Sequence, residues 1–407
     1  MPTMTAPDLL VLPRIPAPPA DATDRPVRQV VTAHQQQEGA GFTVRRPFPS
    51  AELTGADPFI LLDHLGEVAY EPHEAKGAPW HPHRGFETVT YLMDGTFVHH
   101  DSHGGGGVIN EGDTQWMTAG AGVLHDELPS EELVVKGGWF HGVQLWVNLP
   151  RAQKMVNPRY QDLKGDKLKL LTSADGGALV RLIAGDLAGY EGPGVTYTPI
   201  SYAHVSMSPG AQLRTPWQPD FSAMVYVLSG EGFVGTEGRP LRTGQLAMLG
   251  EGDSITVRAA DRQDNRTGQL ELLLLGGRPL REPVVQYGPF VMNTREEIIE
   301  AVHDFQGGRM GRIPAEHMAA ASGTAPDPAR ARTCSAVRTP RLSRTPRCPE
   351  HRVVQNTAFR QPLTAHEPGS CHMGHIGGAP GAANGCPTSL KPSLRYNRAL
   401  VGELASR

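Results

Sequence analysis

Four side chains stand at spacings that could hold a metal ion: His81 and His83, two apart, and His125 and Glu127, also two apart. On an extended strand, residues i and i+2 point to one face, so each pair can present two donors side by side. Where two such strands lie across one small barrel, three imidazoles and a carboxylate converge. That donor set suits a borderline divalent ion such as Fe(II), Mn, Ni, Cu or Zn, and on an octahedral ion it leaves two positions for water or substrate. A lone His-x-His in a strand is more often a surface or hydrogen-bonded pair; the matched His-x-Glu downstream reverses that reading. Glu127 is also the candidate catalytic residue, as ligand, general base or both in turn. The other histidines carry less. His99, His100 and His103, followed by Gly104–Gly107, read as a strand end and a loop near the barrel mouth, contributing at most from behind the ligands. His64 reads as a structural histidine, and Trp80, Trp116, Trp139 and Trp146 as core. The glycine run lacks the strand-turn-helix context of a phosphate loop.

The elements that must position these residues are short strands. ETVTYLM (87–93), Asp94-Gly95 and TFVHHD (96–101) spell a hairpin with a two-residue turn, and TQWMTAG (114–120) and GVQLWVNLP (142–150) follow at intervals. Gly 47 and Pro 36 in 407 residues argue against a helical bundle. The pattern then recurs. PWHPH (79–83) returns as PWQPD (216–220), VTYLMDG (89–95) as VYVLSGEG (225–232), and GDTQWM (112–117) as GQLAML (244–249). Two copies of one β-sandwich barrel are the reading. The second copy has Gln218 and Asp220 where the first has His81 and His83, and Val257 and Ala259 opposite His125 and Glu127, so the second barrel is expected to hold no metal. NTREEIIEAVHDFQGG (293–308) predicts a helix with a Thr294-x-x-Glu297 capping box, an apolar face of Ile298, Val302 and Phe305, and a glycine stop.

The expected organisation is a flexible leader (1–25), an N-terminal metal-binding barrel (26–150), a linker (151–195), a C-terminal barrel without metal (196–292), a helix (293–312) and a low-complexity, disordered basic tail (313–407). The 38 basic and 42 acidic residues hide a split. From Met318 onward there are 12 Lys and Arg against 4 Asp and Glu, and all four cysteines (Cys334, Cys348, Cys371, Cys386) lie there. No Cys-x-x-Cys pair supports a zinc module, and the tail resembles an out-of-frame extension. The thiol-free remainder and the lack of a signal segment or membrane span in the leader fit the cytoplasm. No nucleic-acid-type charge excess or aromatic interleaving is present, so direct nucleic-acid binding is not expected.

DPFILLDHLGE (57–67), HPHRGFETVTYLMDG (81–95), GDTQWMTAGAGVLHDE (112–127), VQLWVNLP (143–150) and PLREPVVQYGPFVMNTREEI (279–298) resemble the pirin family of the cupin superfamily, over residues about 26 to 312. The resemblance implies an all-β bicupin, two jelly-roll barrels face to face with metal only in the first. It carries the family's three His and one Glu onto His81, His83, His125 and Glu127. It implies one ion per chain, most often iron. The activity it implies is a quercetin 2,3-dioxygenase-like oxidoreductase, acting with O2 on a small aromatic or enolic substrate. The alternative is a non-enzymatic, redox-dependent regulator working through protein partners.

Overall fold

The computed structural model describes residues 11–53 and 56–314. The first ten residues of the expected leader, and the basic tail from residue 315 with its four cysteines, lie outside the described residues. Each copy of the repeat is a seven-stranded antiparallel sheet packed against a four-stranded one. In the first barrel the large sheet runs in the order Arg159–Leu163, Thr114–Thr118, Phe86–Asp94, Gly138–Asn148, Phe59–Tyr70, Phe42–Phe48, His34–Glu38. Its small sheet runs Ala78–His83, Val123–Pro129, Phe97–Asp101, Gly106–Ile109. In the second barrel the large sheet runs Val27–Thr32, Gln245–Leu249, Met224–Ser229, Leu270–Gly277, Ile200–Met207, Ala178–Ala184, Lys169–Thr172. The small one runs Gln212–Pro216, Ser254–Ala259, Glu231–Val234, Arg239–Arg242.

The two large sheets face each other. LELLLLGG (270–277) shows why this strand is apolar throughout: Leu272 and Leu274 point into the second barrel, while Leu273 and Leu275 join Val89, Tyr91, Val143 and Leu145 between the barrels. A strand buried on both faces loses the polar-apolar alternation of a surface strand. The bicupin fold stands, with one helix beyond expectation, the short Glu131–Lys136 capped by Ser130.

Pairing register sets the two barrels in correspondence and changes one comparison made from sequence. His81 lies opposite His125, and Leu213 opposite Val257. Gln218 and Asp220 fall beyond the end of their strand, where Asp220 pairs with Arg278 at 2.8 Å. The likeness of PWHPH to PWQPD is one of composition; the counterpart of His81 is Leu213. Thr90 lies between Gln115 and Gln144, and its counterpart Val225 lies between Ala247 and Leu274. His81, His125, Thr90, Gln115 and Gln144 of the first barrel are thus matched by Leu213, Val257, Val225, Ala247 and Leu274 in the core of the second, while His83 is matched by the buried Thr215.

The two ends of the described residues cross over. Strand Val27–Thr32, expected in the first barrel, pairs with Gln245–Leu249 of the second. Residues 11–25, expected as a flexible leader, run along the second barrel: Ile15 N–H donates to the Thr172 carbonyl, its side chain is 2% exposed, and Arg25 donates to the carbonyls of Gly250 and Gln218. The stretch 151–195, expected as a linker, contains strands of both large sheets. At the other end, residues after the second barrel return to the first. Arg84 bridges Phe290, Val291 donates to the Arg84 carbonyl, and the helix Arg295–Gln306, with the expected capping box, packs Ile298 and Ala301 on Phe290 and Met292. Gly85 permits the approach: its φ is +89°, and a Cβ there would lie 2.0 Å from the Val291 carbonyl oxygen.

Candidate metal centre

His81 and His83 close the strand Ala78–His83, and His125 stands opposite His81 on the antiparallel neighbour. Their ring centroids are 4.3 Å (His81–His125), 4.7 Å (His81–His83) and 4.8 Å (His83–His125) apart. One nitrogen from each lies within 4.8 Å of the other two. The orientation of the rings is fixed from behind. His81 Nδ1 lies 2.8 Å from the Pro79 carbonyl oxygen, and His83 Nδ1 lies 3.2 Å from that of Pro289. A carbonyl only accepts, so both rings donate from Nδ1 and carry their lone pairs on Nε2. Those two Nε2 atoms face each other at 3.0 Å. With both protons committed elsewhere, none lies between them. His125 Nε2 is buried and has no hydrogen-bond partner. One cation would satisfy together the two opposed lone pairs and the unpartnered nitrogen of His125. Their 3.0 Å separation is that of neighbouring ligands each about 2.1 Å from an ion. The residues fit a metal ion. Burial holds His83 and His125 well below the ordinary imidazole pKa, so both are neutral donors at neutral pH. Phe86 and Trp146 pack on His83 at 5.0 and 5.1 Å, walling the inner side, whereas His81 keeps a partly exposed edge.

Glu127 adjoins this trio through His125. The register slips between His125 and Glu127, so Glu127 pairs with Ala78 on one side and His99 on the other. Its Oε1 accepts from Thr90 Oγ1 at 2.7 Å and Gln115 Nε2 at 3.3 Å, and its Oε2 from Gln144 Nε2 at 2.7 Å. Burial raises its pKa above the usual carboxylate value, with those donors pulling the other way. Its carboxylate groups with His99 and His125, not with His81 and His83.

Sequence reading passed over the residues that hold Glu127, and it set His99 at the barrel mouth. The structure buries His99 completely, its ring stacked on Tyr160 at 5.2 Å. The signal was the alternation in FVHHD: Phe97, His99 and Asp101 are buried, Val98 and His100 half-buried. His100 instead meets Asp126 at 2.9 Å, and His103 is exposed. His64 is hydrogen-bonded through both nitrogens, to Tyr226 and His141. Of the four tryptophans expected in the core, Trp116 and Trp146 are buried. Trp80 is half-buried, and Trp139 is 48% exposed beneath the Arg266 guanidinium.

The Pirin family model matches residues 41–147, and that of the Pirin C-terminal cupin domain matches residues 202–311. Human Pirin is 40% identical over 284 residues, which cover 69% of this chain and 92% of that protein. A Pirin-like protein of Solanum lycopersicum is 38% identical over 288 residues, 70% of this chain and 93% of its own. Among solved structures, a quercetin 2,3-dioxygenase from Acinetobacter baumannii superposes with a TM-score of 0.66 at 37% identity, covering 72% of this chain and all of that one.

Proposed function

The chain belongs to the pirin family of cupin proteins, and from that premise we propose that it is a mononuclear metal enzyme, a dioxygenase of flavonol-type or other enolic substrates. His81, His83, His125 and Glu127 would hold one divalent ion per chain, Fe(II) by preference, in the first barrel. The observation that carries the reading is the close trio of imidazoles, two facing Nε2 to Nε2 with their Nδ1 atoms turned to backbone carbonyls and the third with a buried Nε2 lacking a partner, in a barrel whose twin has Leu213 and Val257 in place of His81 and His125. When bound, the ion supplies Lewis acidity toward hydroxyl and carbonyl oxygens of the substrate. The chain supplies the rest. His81's exposed edge marks the side from which a planar substrate enters, and Phe86 and Trp146 exclude water from the opposite side. Glu127, with its pKa raised by burial, takes the proton from the substrate hydroxyl, while Thr90, Gln115 and Gln144 keep its carboxylate in place.

Among the described residues no helix is long and apolar enough to cross a membrane, and a cytoplasmic site of action accords with the thiol-free barrels. The test is oxygen uptake on mixing Fe(II)-loaded protein with a flavonol. Uptake that a chelator abolishes supports the enzyme. Tight metal binding with no uptake across a panel of enolic substrates overturns it in favour of a regulator acting through protein partners.

A further inference from the structure

His81 and His83 each direct Nδ1 at a backbone carbonyl; His125 does not. Its Nδ1 lies 3.4 Å from Nδ1 of His99, a second imidazole on the neighbouring strand. Only one of the two nitrogens can carry the proton, and the surroundings of His99 decide which. Gln115 Nε2 lies 2.8 Å from the same His99 Nδ1. An amide nitrogen only donates, so His99 Nδ1 is an acceptor and the His99 proton sits on Nε2. That Nε2 is buried without a hydrogen-bond partner, 4.0 Å from Asp101 Oδ2. Asp101 is itself pinned, its Oδ1 accepting from the backbone N–H groups of His103 and Gly105. His99 Nδ1, accepting from Gln115 at 2.8 Å, shares its one lone pair with the His125 Nδ1–H at the longer 3.4 Å, which leaves the His125 lone pair on Nε2, an atom with no partner.

We infer that His99 is a positioning residue for the metal centre: it accepts a hydrogen bond from the Nδ1–H of His125 and so fixes which nitrogen of that ring faces the ion. The inference rests on the proposed metal centre. His99 and His125 stand one behind the other on the way to the proposed ion site, with His99 held by its stack on Tyr160 and by the Gln115 amide. Gln115 also donates to Glu127 Oε1, so a single amide orients the group behind one ligand and the carboxylate of another. A partner that orients a ligating histidine from behind is typically worth about 10- to 100-fold in metal affinity.

The test compares the full chain with His99→Leu, which removes the acceptor, and His99→Gln, whose carbonyl oxygen can take its place. Co(II) affinity is measured by chelator competition, and the number of coordinating imidazoles by X-ray absorption. The expected result is affinity about 10- to 100-fold weaker in H99L, largely restored in H99Q, with three coordinating imidazoles in every protein. Equal affinity in wild type and H99L overturns the inference. So does a fourth imidazole in wild type that disappears in H99L, which would make His99 a ligand. Should H99L not fold, His99→Met replaces it with a side chain of closer volume. Failure of the underlying reading looks different: wild type then does not bind Co(II), or binds it undiminished after His81→Ala.

Discussion

His141 and His64 meet Nε2 to Nε2 at 2.8 Å, fully buried at the junction of the barrels, with Tyr226 on the far side of His64. Burial pushes His141 down to about 3 and His64 well below the ordinary imidazole value. Both are neutral in the fold and take up protons in the unfolded chain below about 6.5. The unfolded state then binds more protons, so stability is lost as pH falls from about 6.5 toward 3. The expected outcome is a melting temperature that drops between pH 7.5 and 5.5. His141→Gln keeps a hydrogen-bonding group without the titration and should show a shallower drop. Identical pH slopes in the two proteins would remove His141 from the account. The acid sensitivity was not visible in the sequence, because His64 and His141 are brought together only by the pairing of their strands.

The returning segment is the element that finishes the site. The Pro289 carbonyl orients His83, and Arg84, next in sequence, donates from Nη2 to Asp304 of the C-terminal helix at 2.7 Å and from Nε to the Ala121 carbonyl at 2.6 Å. Lys154, 2% exposed, ties the same corner, donating to the carbonyls of Gly85 and Val291 and to Asn148 Oδ1. Asp304→Asn removes the charge partner of a buried guanidinium, at an expected cost of about 1–3 kcal/mol. It should also loosen the Pro289 carbonyl from His83, so metal should pass to a chelator several-fold faster than from wild type, with the same number of ions bound at saturation. An unchanged release rate would confine the helix to a purely structural role. Elements of this kind were half legible. The capping box and apolar face announced the helix Arg295–Gln306, yet neither says which barrel it covers, since Gly85 and Arg84, its receivers, lie some two hundred residues upstream. His81 and His83 were readable as a pair because they stand two apart within one strand, whereas their meeting with His125 depends on the pairing of two strands. The cradle of Thr90, Gln115 and Gln144 was not readable, because it draws one residue from each of three strands adjacent only in space. The strands within 151–195 went unread for a related cause: ALVRLIA (178–184) is strand-like, but the matching blocks of the repeat bracket it without including it.

At the scale of the whole molecule the two barrels are bound by exchange as well as by contact. The first barrel contains the returning segment Phe290–Gln306, and the second contains Val27–Thr32 from the N-terminal side. Neither barrel is a continuous stretch of chain, and a shared layer of Val, Leu and Tyr joins their large sheets. The expected outcome is one cooperative unfolding transition: tryptophan fluorescence, from Trp116 and Trp146 in the first barrel and Trp217 in the second, should coincide with far-ultraviolet circular dichroism across a urea titration. Two separated transitions would show that the exchanged ends contribute little to the coupling. The late arrival of Pro289 also has a temporal meaning. Synthesis proceeds from the N-terminus, and domains generally fold as they emerge. Here the three imidazoles leave the ribosome early, while the carbonyl that orients one of them is translated only after the entire second barrel. A half-made chain therefore carries the three imidazoles without the carbonyl that orients His83, and that orientation is added only once the second barrel and the returning segment have been made.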